Sequence, residues 1–218
     1  MEYPIGGTIQ DTQPSQEGYD APPGIQEECD SGMNTITEEK LDEGDSFLVL
    51  SSASKLKENN IRLVREVQDL HYQIIMITFN QPSPILKRTY LKNDIDLDTI
   101  IFIDAVSKYA LGTLPPQDID RAVFINNPPR NLTNLSVAIS EMLKEFAGTR
   151  ICVILDSITT MLIYLSSGDI SKFTHFMTSK LSILGMSGFF IAVENGLDPT
   201  LMTHLSTFTD EVIDLTPR

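Results

Sequence analysis

The sequence predicts a three-layer α/β domain, a mostly parallel sheet of about six or seven strands between two helical layers, preceded by a disordered acidic tail. Three observations carry that expectation. Short apolar runs recur along the chain and are nearly continuous, as in strands buried on both faces. Stretches with helical spacing, most of them ten residues or longer, separate these runs, which points to βαβ units. Charge divides the chain: of 218 residues, the first 45 hold 12 Asp/Glu against Lys40 alone, whereas residues 46–218 hold 18 acids and 15 bases.

Residues 1–44 are rich in Gly, Pro, Ser, Gln and acids and poor in large apolar side chains. Such a segment buries too little to offset the entropy of ordering it. It is expected to be disordered, as a solubilising tail or as a docking segment. The domain is expected over residues 45–218. A body of about 170 residues buries roughly 70% of the surface its unfolded chain would expose, so it needs no staples.

The body opens with "SFLVL", a short strand. Leu56, Leu63, Val64, Val67 and Leu70 follow at helical spacing. "QIIMITF" is a second buried strand, and Pro82 and Pro84 mark the start of a helix carrying Ile85, Leu86 and Leu91. "TIIFIDA" is a third strand. A looser segment containing "LGTLPPQD" leads to the short strand "AVFIN". Asn131 or Thr133 caps the next helix, whose apolar face is Leu132, Leu135, Ile139, Met142, Leu143 and Phe146, with Gly148 as its stop. "RICVILD" reads as the central strand, followed by a helix from near Ile158. A long helix then carries Ile170, Phe173, Met177, Leu181 and Leu184 and stops at Gly185. "GFFIAVE", the short helix "PTLMTHLS" and the edge strand "DEVIDL" complete the chain.

Composition narrows the function. Cys29 lies in the tail and Cys152 in an apolar strand, which suggests no disulfide framework and fits a reducing cytoplasm. No Cys/His spacing suggests a metal site. "MEYPIGG" lacks the basic and apolar parts of a secretory signal, and no run of about 18 apolar residues reads as a membrane span. The acidic balance argues against nucleic acid and anionic membranes as partners. The densest basic cluster is Lys87-Arg88 with Lys92, and no Lys/Arg stripe is visible.

In an open parallel sheet, ligands sit beyond the carboxyl ends of the strands. After the first strand, Ser51, Ser52, Ala53, Ser54 and Lys55 occupy the position of a phosphate loop. Such loops use glycines so that backbone N–H groups converge on phosphates, and this turn has none. Lys55 follows Ser51 by four residues where G-x-x-x-x-G-K needs six, and Leu56 replaces the hydroxyl residue that would hold Mg²⁺. An ordinary turn capped by serine explains it more simply, with weak anion binding at the helix N-terminus as the functional alternative. Asn80 and Gln81 follow the second strand and cannot act as bases. Asp104 ends the third strand as a cap or turn residue. Asp156-Ser157 ends "ICVIL" in the pattern of an Mg²⁺-orienting acid, with helix capping as the plainer role. Glu194 ends "GFFIAVE" and could pair with Asp156 if their strands are adjacent. The two sequons at Asn131 and Asn134 read as a helix cap.

This order of elements resembles the RecA-like ATPase core of KaiC-like archaeal and bacterial proteins over residues 46–215. The most specific stretch is "VILDSITTMLIYLS", followed by "KLSILGMSGFFIAVE". The resemblance implies an archaeal source and a Walker A motif where Ser51 to Leu56 stand. It also implies a glutamate pair where Asn80 and Gln81 stand, and a Walker B acid at Asp156. Only the last matches, and no acid lies between residues 70 and 93 to replace the base. The expectation is a catalytically inactive domain serving as a protein-binding or regulatory module, in signalling or motility. It has no cofactor beyond weak Mg-ATP binding at Ser51, Ser52, Ser54, Lys55, Asp156, Ser157 and Glu194. Its partner is a protein, either a competent KaiC-like ATPase or a second copy. The alternative is a non-standard nucleotide-binding protein or slow ATPase using Lys55, Lys57, Asp156 and Glu194.

Overall fold

The computed structural model describes Met1 and residues 36–114, 121–125 and 129–216. Among these, seven strands form one sheet: β1 (Ser46–Ser51), β2 (Gln73–Thr78), β3 (Ile100–Asp104), β4 (Ala122–Phe124), β5 (Ile151–Asp156), β6 (Ser187–Val193) and β7 (Glu211–Asp214). The helices are α1 (Glu38–Glu43), α2 (Leu56–Asp69), α3 (Ser83–Leu91), α4 (Ser107–Leu111), α5 (Leu132–Glu145), α6 (Ile158–Met161), α7 (Ser167–Leu184) and α8 (Pro199–Phe208). Strand order is β4-β3-β2-β5-β6-β1-β7, and every neighbouring pair is parallel. This is the expected three-layer α/β fold, with β5 at the centre and β7 at one edge.

The strands read as unbroken apolar runs because successive side chains feed two different cores. Ile74 and Met76 of β2 join Leu63, Val64, Val67, Leu86 and Tyr90 on the α2–α3 side. Ile75 and Ile77 join Leu135, Ile139, Phe173, Met177, Leu201 and Leu205 on the side of α5, α7 and α8. Most helix ends fall where the sequence puts them. Asn131, rather than Thr133, caps α5 by accepting from the Asn134 N–H. Gly185, at φ 63°, closes α7 by adopting the left-handed conformation that glycine tolerates best. The α5 helix stops at Glu145, short of Gly148, which lies in the turn before β5.

Two elements were not expected. Helix α4 occupies the start of the segment read as loose, most of whose "LPPQD" lies outside the described residues. Helix α1 falls inside residues 1–44, expected to be a disordered tail, of which 2–35 lie outside the described residues. Thr37 caps α1, Glu38 and Glu39 suit its N-terminus, and Gly44 (φ 82°) ends it against the Gly185 backbone. Its one large apolar residue, Leu41, is 1% exposed in the α2–α3 core. Its charged residues bind the amino end of the sheet. Arg150 reaches Glu38 at 2.6 Å and Asp42 at 3.1 Å, Lys40 pairs with Glu211, and Tyr72 donates to Asp42. One apolar anchor suffices because these charges are paired. A reading based on acidic composition cannot see that pairing.

Candidate functional site

Period-two alternation puts Ser51, Thr78, Asp104 and Asp156 on the α2–α3 side at the carboxyl ends of β1, β2, β3 and β5. Thr78 is in register with Asp104 on one side and Asp156 on the other. All four are buried beneath the N-terminal parts of α2 and α3. They form a polar layer that closes the apolar core at this end.

Each is satisfied within the chain to a different degree. Asp104 is a hub: it accepts from the Ser83 N–H at 2.6 Å, the Val106 and Ser107 N–H groups, and the Ser107 hydroxyl. It therefore ties together the starts of α3 and α4, which is the capping role expected of it. Ser51 accepts from the Asn59 amide at 2.9 Å and donates to the Ser52 carbonyl. Asp156 is 2% exposed, and among the described residues its carboxylate accepts from the Asn80 amide alone, at 3.4 Å. The Asp156 carbonyl also holds the Phe79 and Asn80 N–H groups, folding the turn after β2 across the end of β5. Burial pushes the Asp156 carboxyl up to about 6, against the opposing pull of Asn80.

Beside Asp156 lies a cavity of about 20 Å³, lined by Leu56, Asn60, Asn80, Gln81, Leu86 and Thr89, among others. That is room for about one water. Pockets for small-molecule ligands run to roughly 300–1,000 Å³. Most of the lining of this cavity comes from α2 and α3 side chains. Asn60 accepts from the buried Tyr90 hydroxyl at 2.7 Å, and its own amide nitrogen has no partner.

The residues singled out in the sequence scatter around this layer. Ser51 is buried and points into it. Ser52 and Ser54 bond each other at 3.2 Å on the exposed turn. Lys55 is exposed, pairs with Glu58 at 2.7 Å, and stands at the N-cap of α2. No side chain caps that helix, so the expected serine cap is not what ends the turn. Asp156 does not cap α6 either. Ser157 does, accepting from the Thr160 N–H. Strands β5 and β6 are adjacent, but Asp156 is in register with Ile191, so Glu194 lies about 10 Å further along. Glu194 begins a separate turn (Glu194–Gly196) and does not line the Asp156 cavity. The Asp156–Glu194 pair that adjacency suggested does not form. Among the described residues, no group of three His, Cys, Asp or Glu side chains is placed to hold a metal ion. None of their helices is long and apolar enough to cross a membrane.

Comparison with solved structures places the architecture. The chain superposes on a KaiC-like protein from the hyperthermophilic archaeon Pyrococcus horikoshii with a TM-score of 0.53 and 12% identity, covering 78% of this chain and 71% of that one. The fold is KaiC-like. No family model and no curated protein matches the chain.

Within this KaiC-like fold, sequence reading found the ends of the strands but missed Asn59, Asn60 and Tyr90. The signal was present. In α2, Asn59 and Asn60 fall at the same core-facing spacing as Leu56, Leu63 and Val67, so two amides are inserted in an apolar stripe. A second feature emerges only in three dimensions. Helices α2 and α3 lie side by side and gather Lys57, Arg62, Arg65, Arg88 and Lys92 around adjoining grooves of about 550 and 240 Å³. The basic stripe not visible along the sequence is assembled from two helices.

Proposed function

We propose that the chain is a catalytically inactive RecA/KaiC-like domain, cytoplasmic, that acts by binding a protein partner in a signalling or motility system. The observation that carries this reading is the 20 Å³ cavity beside Asp156, enclosed by α2, α3 and the turn after β2. Phosphoryl transfer depends on a backbone cradle, a metal-holding acid and a positioned water. Here Ser51 is committed to Asn59, and Asn80 stands where a base would be needed. Lys55 is committed to Glu58 on the surface. Asp156 keeps its place but lies under Asn80.

A protein partner fits the outer surface of α7. Ile183 is 85% exposed there, and Phe176 and Leu184 are also exposed. The favoured partner is a competent KaiC-like ATPase, with a second copy as the alternative. Calorimetry of the full chain with Mg-ATP and Mg-ADP tests the first half. No heat is expected up to millimolar nucleotide. Micromolar, Mg²⁺-dependent binding lost in Asp156→Ala would replace this reading with that of a nucleotide-binding protein or slow ATPase. Sedimentation of the full chain with cell extract tests the second half. A monomer that retains no protein at any salt concentration counts against a binding module.

A further inference from the structure

We propose that the acidic segment 2–35 of this chain docks in the basic groove between α2 and α3. The groove draws five of the 15 bases of residues 46–218 onto one face: Lys57, Arg62, Arg65, Arg88 and Lys92. Lys57 and Asn93 line both of its depressions, so the two are continuous. The acid in the groove, Glu58, is already paired with Lys55. Lys57, Arg65, Arg88 and Lys92 are solvent-exposed. Arg65 and Arg88 each donate to a backbone carbonyl, of Asn93 and Pro84, which holds their guanidinium groups in the groove without neutralising them.

The complement is in the same chain. Residues 2–35 carry seven acids (Glu2, Asp11, Glu17, Asp20, Glu27, Glu28 and Asp30) and no Lys, Arg or His. The chain also enters the fold on the correct side. Ile36 packs against the α2–α3 core, and α1 is fixed to Tyr72, three residues beyond the last residue of α2. Helix α2 is about 21 Å long, whereas 34 extended residues span roughly 110 Å, so reach is not limiting. Tethering supplies an effective concentration in the millimolar range, and opposite charges in a groove attract without a specific sequence register. A free polyanion such as nucleic acid would have to displace a segment that never leaves.

The chain carries its own probe site. Cys29 lies in the acidic segment, and the other cysteine, Cys152, is fully buried. A nitroxide on Cys29 of the full chain should broaden the backbone amide signals of Lys57–Arg65 and Arg88–Asn93. These should recover in 1 M salt, where the screening length falls to about 3 Å. They should also recover in the variant combining Lys57→Gln, Arg65→Gln, Arg88→Gln and Lys92→Gln. Broadening on the α5–α7 face instead, or none above the diamagnetic control, overturns the proposal. So does broadening that fades on dilution, which would place the segment on a second copy. Binding of a single-stranded oligonucleotide to the full chain at physiological salt, with the groove amides shifting, would make nucleic acid the occupant and likewise overturn it.

Discussion

At the amino end of the sheet, Arg150 sits half in solvent with three partners: Glu38, Asp42 and the Tyr72 hydroxyl. Those partners raise its pKa beyond the ordinary arginine value, and the Tyr72 bond, ahead of Arg150, holds the Asp42 carboxyl below its usual range. At the carboxyl end, Asp156 is buried with one long bond from a neutral amide, and Asn60 keeps an amide nitrogen with no partner. One end places charges where water and counter-charges satisfy them. The other buries polar groups and leaves part of their capacity unused. A structure selected only for stability has no use for the second arrangement, since unpaired buried polar groups cost free energy. The carboxyl end therefore holds polar side chains whose bonds among the described residues leave hydrogen-bonding capacity unused.

The largest effect is expected at the amino end. Leu41→Ala removes the apolar anchor of α1 and should cost about 3 kcal/mol, read as a lower urea midpoint. If the midpoint is unchanged, the charges alone hold α1, and the two ends differ less than described.

The next effect has the opposite sign. A carboxyl raised from 3.8 to about 6 by folding disfavours the native state once it ionises. The native chain holds this proton up to about pH 6 and the unfolded chain only to about pH 4, so this contribution to stability is lost as pH rises through that window. Asp156→Asn should nearly match the wild type near pH 4 and exceed it by roughly 2–3 kcal/mol at pH 7. Destabilisation at pH 7 would mean that the carboxylate is satisfied after all, by a ligand or ion, and would favour a working site.

Arg150→Gln should lower the urea midpoint only slightly, because the partners it loses are exposed and screened. The loss should shrink in high salt. Lys55→Ala should cost no more than about 0.5 kcal/mol, the worth of a surface pair one helical turn apart, and should leave nucleotide titrations unchanged. A lysine serving a phosphate would behave otherwise.

Much of the fold was legible because it depends on periodicity. Strands β2, β3 and β5 are unbroken apolar runs, Gly185 marks the end of α7, and Asn131 is one of the two caps the sequence offers for α5. Helix α1 was not legible: the partners that pair its charges, Arg150, Tyr72 and Glu211, are 30 or more residues away in sequence. The site was half legible. Ser51, Asp104 and Asp156 stand at strand ends that the sequence marks. Glu194 was misjudged because register, not adjacency, decides who meets Asp156. Asn60 and Tyr90 were overlooked because a single helix reads as amphipathic even with two amides on its apolar side. The α2–α3 groove escaped because its five bases come from two segments separated by a strand.

The outermost strands carry a last consequence. Strand β4 has three residues, and β7 has four, of which Glu211 and Asp214 are acidic. An incoming chain seeking to extend the sheet would find only a few rungs at either margin, and on one margin it would meet the Asp214 carboxylate. Fibre-like stacking is thereby discouraged. The broad surfaces left on the body are its helical flanks, not the backbone of the sheet.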